Sequence, residues 1–442
     1  MIRKTLFLFL LFLSFSLNIA AEESERINHQ AVRVVKELTP HWTGTWATAM
    51  QTPVKAFMPY NNQMSNRSVR QIVKVSAGGD VVRLQLSNIF STTPVVLRSV
   101  YIAPSLGGHK VDSARAVYLT FNGRRNGVIP AGKSLYSDAA RFALKPLQLV
   151  AITINYQTAP KVPTVHMGSR TTSYILKGVS KPSTDFTHAF RYEKWFNIAA
   201  LDVYARDVRT IAILGNSITD GKGSTTDHQN RWPDEMSFQL NEVAGAKAEK
   251  EGKKRMQFGV LNLGIGNNRV LTVGFGQPAR QRFDRDILEQ RGVTDVILFE
   301  GINDLGNSKD GIVTAHELVE AYKQMIGKCH KAGLKVWLGT ITPMKGAGYY
   351  SVSHELGRKL VNEWILCARD ISGRTETLFF CRQTRECRVL FCHVPWRRAH
   401  IPRAGRLSIR VLSLSRRPTG SRCRCIRPPR SAPTRSRRGC IR

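Results

Sequence analysis

The sequence of 442 residues lacks any apolar run long enough to cross a bilayer. Its longest, over residues 6–17, has about a dozen residues, whereas a spanning helix needs roughly 20. That run follows two basic residues and precedes a pair of alanines that ends at Ala21, which is typical of a secretory signal peptide. We therefore predict a signal peptide over 1–21, a secreted or periplasmic protein, and no membrane span in the mature chain.

Aspartate and lysine are absent after residue 370. The segment 371–442 instead holds 19 arginines against two glutamates, a net charge of +17, which is half of the total of +34. Six of the eight cysteines also lie there, but no CxxC pair occurs, which argues against a metal site. We interpret this tail as an out-of-frame translation that is disordered. The alternative is an arginine-rich arm for nucleic acid or an anionic surface.

Because the excess charge is concentrated in the tail, we do not expect a nucleic-acid partner for the rest of the chain.

Residues 41–205 alternate apolar and polar side chains in short runs separated by Gly, Asn and Pro, as in VVRLQLSN and LQLVAITINY. Runs of this length and spacing predict an antiparallel β-sandwich domain over 41–205.

From residue 206 to residue 370 strands and helices alternate, which predicts an α/β domain with an open parallel sheet. The predicted strands are Thr210–Leu214, Phe258–Leu263, Asp295–Phe299 and Leu334–Ile341, and the predicted helices lie near Trp232–Asn241, Arg280–Gln290, Thr314–Lys331 and Val352–Ala368.

Three of these strands end in distinctive loops, which read GNSITDG, NLGIGNNR and EGINDLG. The carboxyl ends of neighbouring parallel strands meet at one edge of a sheet, so we expect Ser217, the turn at Gly266 and Asn267, and Asn303 to share a cleft. A hydroxyl on a tight turn, backbone amides and a side-chain amide are the groups that acyl transfer needs.

These three loops resemble, in order, the first three sequence blocks of the GDSL-type or SGNH hydrolases, over about residues 209–368. The stretches HWTGTWATAMQ, RQIVKVSAGGDVVRLQLSN and SRTTSYIL resemble the leading domain of secreted, xylan-associated acylhydrolases of that class. The resemblance implies a flavodoxin-like parallel sheet and hydrolysis of carboxylic esters in small molecules or polysaccharides, including acetyl esters of plant polysaccharide.

Carried onto this sequence, the resemblance makes Ser217 the nucleophile and Asn303 the side-chain donor of an oxyanion hole. Backbone amides of Ser217 and Asn267 complete that hole, with Gly266 as the alternative to Asn267. An asparagine at 267 keeps the amide and tolerates a left-handed backbone. No metal or organic cofactor is implied.

The chain departs from the family at two places. Asn216 occupies the position directly before Ser217, where the family more often has aspartate. The fourth block, DxxH, is missing: by count its base falls near His400, but residue 397 is arginine and no aspartate follows Asp370. His400 is therefore a candidate base without an orienting acid, and the region also lacks the pattern of the last strand and helix of the sheet.

Other polar and aromatic residues are assigned structural roles. We expect His166, His316 and His354 to be structural or solvent-facing, Asp304 to anchor its loop, and the tryptophans to pack in the core or at a rim. Asp220 and Arg231 are expected to be a turn acid and a helix-start cation.

A carbohydrate-binding protein without turnover is the rival to an esterase.

Overall fold

The computed structural model describes residues 40–54, 64–367, 375–381 and 388–390. Up to residue 205 these residues form mainly antiparallel strands and one short 3₁₀ turn at Ser113–Arg115. In chain order the strands are β1 (His41–Ala47), β2 (Arg67–Lys74), β3 (Gly79–Ser87), β4 (Val95–Pro104), β5 (Val117–Leu119), β6 (Gly127–Ile129), β7 (Ser134–Tyr136), β8 (Ala140–Leu144), β9 (Leu149–Thr158), β10 (Val165–His166), β11 (Ser173–Lys177), β12 (Phe190–Tyr192), β13 (Trp195–Phe196) and β14 (Ile198–Ala205).

These strands form two larger antiparallel sheets. One has the order β1-β14-β3-β7, with β8 also paired to β3, and the other has the order β12-β11-β2-β9-β4-β5, with β6 paired to β4. The short strands β10 and β13 pair with each other. The prediction of antiparallel strands in this half of the chain is confirmed.

The alternation of side chains explains why β3 is a strand. Val82, Leu84 and Leu86 are fully buried, whereas the intervening side chains of Arg83 and Gln85 keep part of their surface exposed. Successive side chains of a strand point to opposite faces, so this pattern gives one apolar face. That face contributes to a hydrophobic cluster that also contains buried side chains of β2, β4 and β9.

A parallel sheet follows, with β15 (Val208–Gly215), β16 (Gln257–Gly264), β17 (Val293–Phe299) and β18 (Lys335–Gly339) in the order β16-β15-β17-β18. β17 is buried at every position, as expected of a parallel strand covered on both faces. In the register of the sheet Gly215 pairs with Gly264 on one side and with Phe299 on the other. The loops that follow these three strands therefore start side by side.

Helices connect the parallel strands. They are α1 (Ser217–Asp220), α2 (Trp232–Phe238), α3 (Ala244–Lys250), α4 (Ala279–Phe283), α5 (Ile302–Gly306), α6 (Gly311–Lys331) and α7 (Val352–Cys367), with π-helical turns at Gln239–Val243 and Asp284–Leu288. The long helix α6 is capped by Asp310, whose Oδ1 accepts hydrogen bonds from the amides of Ile312 and Val313. The four predicted strands and the four predicted helical stretches are all found, although the stretch near 280–290 divides into α4 and a π-helical turn.

The β-rich region lies directly against the parallel sheet. The Thr43 hydroxyl is 2.5 Å from the Thr210 hydroxyl. The amide of Val260 donates to Oγ of Ser76 at 2.8 Å, and Oε1 of Gln257 accepts from the amide of Gly78 at 2.7 Å. This contact was not predicted from the sequence.

A strand also occurs where none was expected. β19 (Thr375–Cys381) pairs in parallel with β18, and β20 (Arg388–Leu390) pairs in antiparallel fashion with β19. The prediction that no strand of the sheet follows residue 370 is therefore wrong for 375–381. The sequence TETLFFC has the threonines and aromatic residues that favour strands, and the arginine-rich composition around it obscured this signal.

The rest of the predicted tail, including His400, lies outside the described residues, and so does the predicted signal peptide. Within the described ranges, no helix has both the length and the apolar content that a membrane span requires.

Candidate active site

Ser217 lies on a tight turn at the carboxyl end of the central strand β15. Oδ1 of Asn216 accepts a 3.0 Å hydrogen bond from the amide of Ile218 and so caps α1. The turn ends at Gly221, whose φ of 114° is in the region that favours glycine. Ser217 is half-buried, and among the described residues its hydroxyl has no hydrogen-bond partner.

The loop after β16 lies against this turn. A Cβ on Gly264 would collide with the backbone of α1 at Asp220, so the close approach of the two segments requires glycine. Asn267 has a φ of 51°, which is the left-handed backbone that the sequence analysis allowed for an asparagine at this position. Gly266 and Asn267 therefore lie beside the segment that carries Ser217.

Asn303 is on α5 in the third loop and is 4% exposed. Its Nδ2 donates a 2.8 Å hydrogen bond to the carbonyl of Asn268, which joins the third loop to the second. Its Oδ1 accepts a 3.1 Å hydrogen bond from the hydroxyl of Tyr349. An amide nitrogen has two N–H groups, and only one is used by a described residue, so one remains for a substrate oxygen.

Asp304 anchors the second loop, whereas the prediction from the sequence was that it anchors its own loop, the third. Its two carboxylate oxygens accept hydrogen bonds of 2.9 Å from the amides of Val270 and Leu271. Burial raises the pKa of Asp304 to about 6, although these two hydrogen bonds favour the ionised form. The loop that carries Asn267 is thus tied to the helix that carries Asn303.

Arg282 was not found by sequence reasoning, although it is fully buried beneath the three loops. Its guanidinium donates to the carbonyls of Gly215 and Leu263 at 3.2 and 2.8 Å, and to Oδ1 of Asn268 at 2.8 Å. Asp286 at 3.0 Å pairs with its charge. One side chain therefore ties the ends of β15 and β16 together, and no local sequence pattern distinguishes this arginine from its exposed neighbours.

The departure from the family at Asn216 has a physical explanation. Nδ2 of Asn216 donates a 3.2 Å hydrogen bond to Oε2 of Glu300, which is buried. Desolvation raises the pKa of Glu300 well above its usual range. The positive charge of Arg282, 3.8 Å away, acts in the opposite direction and lowers this pKa, but its effect is smaller. An aspartate at 216 would place a second carboxyl group against Glu300, whereas the asparagine supplies a donor.

Asp220 and Arg231 make structural contacts. Arg231 lies at the start of α2, where its Nε donates to Oδ2 of Asp234 at 2.6 Å and one terminal nitrogen donates to the carbonyl of Ser169 at 3.1 Å. Oδ1 of Asp220 is 2.9 Å from Nε2 of His166, and both residues are buried. The pairing of Asp220 with the β-rich region was not predicted.

No histidine in the described part of the chain forms a hydrogen bond with the side chain of Ser217. Both ring nitrogens of His354 face backbone carbonyls, of Tyr349 at 2.7 Å and of Ser308 at 3.1 Å. Both nitrogens are therefore directed at the backbone of neighbouring segments and neither is directed at Ser217. His166 is engaged by Asp220, and His316 is exposed on α6.

Two of the tryptophans pack in the core as expected. The rings of Trp46 and Trp195 are buried and meet edge to face with centroids 5.0 Å apart. Neither offers a face to a ligand.

Part of the chain is similar to a known protein family. The model of the GDSL-like lipase/acylhydrolase family matches residues 213–370, whereas a search of curated proteins found no match. Among solved structures, a family two carbohydrate esterase from Cellvibrio japonicus is 9% identical, with 79% of this chain and 89% of that chain covered and a TM-score of 0.30.

Two further solved structures are similar over a smaller part of the chain. AlinE4, an SGNH-hydrolase family esterase, is 13% identical, with 38% of this chain and 75% of that chain covered and a TM-score of 0.27. The acetyl xylan esterase AlAXEase is 17% identical with the same coverage and a TM-score of 0.25. The similarity to a known family is thus that of residues 213–370. This segment matches the GDSL-like lipase/acylhydrolase family.

Proposed function

We propose that this protein is a secreted serine esterase that hydrolyses carboxylic esters through an acyl-serine intermediate. The convergence of three loops at one sheet edge carries the proposal: Ser217 has a hydroxyl without a partner among the described residues, and Asn303 has one uncommitted N–H. Backbone amides of Ser217 and Asn267 complete the proposed oxyanion hole, with Gly266 as the alternative to Asn267.

In the proposed reaction the Ser217 hydroxyl loses its proton to a base while Oγ attacks the ester carbonyl carbon. The carbonyl oxygen becomes an oxyanion, which the amide N–H groups stabilise because negative charge develops there in the transition state. Collapse of this intermediate expels the alcohol with a proton and leaves the acyl-serine, which water then hydrolyses. The base that this scheme needs is His400 by count, outside the described residues.

Acetyl esters of plant polysaccharide are the proposed substrates. The support is the resemblance of the β-rich region to the leading domain of xylan-associated acylhydrolases, together with the contacts of this region with the nucleophile loop. Arg170, for example, donates to the carbonyl of Ser224 at 2.9 Å, and Asp227 accepts from the amide and hydroxyl of Thr172 at 2.6 and 2.7 Å. We further propose that the two antiparallel sheets act as a β-sandwich domain that forms one wall of the cleft.

One observation favours a second candidate function. In the described part of the chain no histidine contacts Ser217, so a carbohydrate-binding protein without turnover is the alternative. Removal of the base from a serine triad that acts as a unit lowers kcat about 10⁶-fold. The two candidates therefore differ in whether Ser217 is activated.

Covalent labelling of the full chain with a fluorophosphonate distinguishes them. An esterase is expected to show one added phosphonyl group on Ser217 by peptide mass spectrometry, and the Ser217→Ala variant should show none. A folded wild-type protein that stays unlabelled while it binds glycans would establish the binding protein instead.

A further inference from the structure

We propose that Asp220 and Phe275 form a subsite that binds a sugar ring next to Ser217. The inference rests on the proposed function and deepens it, because it assigns the residues that recognise the alcohol part of the ester. From its sequence position Asp220 was expected to be a turn acid, and Phe275 was not predicted to have a functional role.

The two side chains flank the loop that carries the candidate oxyanion amides. A methyl group added to Gly266 would lie 3.6 Å from Oδ2 of Asp220 and 3.8 Å from Cδ2 of Phe275. Ser217 and Asp220 are three residues apart on α1, a spacing that places side chains on one helix face. A carboxylate oxygen and an aromatic ring thus lie near each other and near the nucleophile.

Asp220 has one oxygen to offer a ligand. Its Oδ1 is paired with His166, whereas Oδ2 has no hydrogen-bond partner among the described residues and lies between the backbones of Gly168 and Gly266. The residue is 7% exposed. A nearly buried carboxylate oxygen is stabilised by a hydrogen-bond donor, and a sugar hydroxyl is such a donor.

His166 fixes the orientation of this carboxylate. Its Nδ1 is 2.9 Å from the carbonyl of Ala49 and its Nε2 is 2.9 Å from Oδ1 of Asp220, so each ring nitrogen faces an acceptor. The imidazole also packs against Trp195 with ring centroids 5.5 Å apart. A ring held on three sides keeps Asp220 in place before a ligand arrives, which lowers the entropic cost of binding.

Phe275 is held in a corresponding way, although its ring is 52% exposed. Its backbone carbonyl accepts a 2.8 Å hydrogen bond from Nε2 of Gln51. Gln51 forms a β-bridge with Val165, the residue next to His166. One bridge of the β-rich region therefore positions both the ring and the carboxylate.

The pairing of these groups selects the ligand class. An acyl chain would cover the phenyl ring and leave the carboxylate oxygen without a donor. A sugar ring offers an apolar C–H face for the aromatic ring and hydroxyl groups for the carboxylate. The subsite therefore fits a sugar alcohol part rather than a long acyl part.

Isothermal titration of the full chain with acetylated xylo-oligosaccharides tests the subsite. Phe275→Ala and Asp220→Asn are each expected to weaken binding at least about fivefold, because they remove a stacking partner and a charged acceptor. Val273→Ala is the matched control, since Val273 is 68% exposed on the same loop, and it should leave the affinity within about twofold. Circular dichroism of each variant checks that it is folded.

Equal affinities for Phe275→Ala and Val273→Ala would overturn the proposal, as would a wild-type protein that does not bind the oligosaccharides. If Asp220→Asn does not fold, the comparison of the two loop variants decides alone. Labelling of Ser217 by the fluorophosphonate without any effect of Phe275→Ala on binding would reject the subsite and keep the esterase. Absence of labelling would reject the esterase whatever the titrations give.

Discussion

The hydroxyl of Tyr349 holds the side-chain amide of Asn303 in one orientation. Tyr349 donates to Oδ1, while Nδ2 donates to the carbonyl of Asn268. A carbonyl only accepts, so the nitrogen must face Asn268 and the oxygen must face Tyr349. The remaining N–H of Asn303 thereby has a fixed direction.

Removal of the Tyr349 hydroxyl should slow the reaction of Ser217. In Tyr349→Phe the amide loses about 0.5–1.5 kcal/mol of orienting interaction, so we expect the second-order rate of fluorophosphonate labelling to fall about two- to tenfold. Tyr350→Phe is the control, because Tyr350 is the exposed neighbour, and its labelling rate should not change. Equal rates in the two variants would show that Tyr349 does not position the amide.

Asp304→Asn should destabilise the protein, since an amide can accept only one of the two backbone hydrogen bonds that the carboxylate accepts. We expect a loss of about 1–3 kcal/mol in the free energy of unfolding. Asp310→Asn, at the exposed cap of α6, exchanges one good capping residue for another and should stay within about 0.5 kcal/mol. Urea denaturation of both variants measures the difference.

The destabilisation by Asp304→Asn should also depend on pH. The pKa of Asp304 is about 6 in the folded protein against about 3.9 in an unfolded chain, so the contribution of the wild-type acid is most favourable below about pH 4 and is lost as the pH rises through about 6. The asparagine does not titrate. The gap between the two proteins should therefore be wider at pH 4.5 than at pH 7.5, and a gap that widens with pH would contradict the raised pKa.

Asn216→Asp should destabilise the turn at neutral pH, because it sets a second carboxyl group against buried Glu300. We expect a loss of about 1–3 kcal/mol, and recovery of most of it in the double variant Asn216→Asp with Glu300→Gln, where the glutamine supplies a donor. Thermal unfolding of the four proteins in this double-mutant cycle gives the interaction free energy. Strictly additive effects would mean that the two side chains do not interact.

Arg282→Met should cost about 3–5 kcal/mol of stability, since it removes the cation that faces buried Glu300 and the donor to the carbonyls of Gly215 and Leu263, although Asp286 keeps its ion pair with Arg285. Arg280→Met, at an exposed position two residues earlier, should change stability by less than about 0.5 kcal/mol. Chemical denaturation compares the two. A small effect of Arg282→Met would show that the strand ends hold together without this side chain.

The sequence predicted the elements of the α/β region well because strong local signals coincide there. Apolar runs of strand length alternate with amphipathic helices, and each predicted strand near the site is followed directly by glycine or glutamate, at Gly215, Gly264 and Glu300. These features also placed Ser217, Asn267 and Asn303 at adjacent strand ends. The strand Thr375–Cys381 was missed because the composition of the surrounding tail outweighed a short β-favouring run.

The residues that position the site could not be predicted, because they act over long sequence distances. Arg282 contacts Gly215 across 67 positions, and His166 contacts Asp220 across 54. Tyr349 lies in an irregular segment with no motif around it. Each of these contacts depends on the three-dimensional packing of loops, which one-dimensional periodicity does not encode.

The β-bridge between Gln51 and Val165 has a consequence for how the protein folds. The bridge positions the proposed subsite through segments of the β-rich region that lie far from the parallel sheet in the sequence. Contacts such as that between the hydroxyls of Thr43 and Thr210 hold the β-rich region against the parallel sheet. Such long-range closures are made late, since the entropy of bringing distant segments together must be overcome first. A fragment that begins at residue 206 would therefore retain the nucleophile but lack a finished cleft, and heating of the intact chain should melt both regions in a single transition.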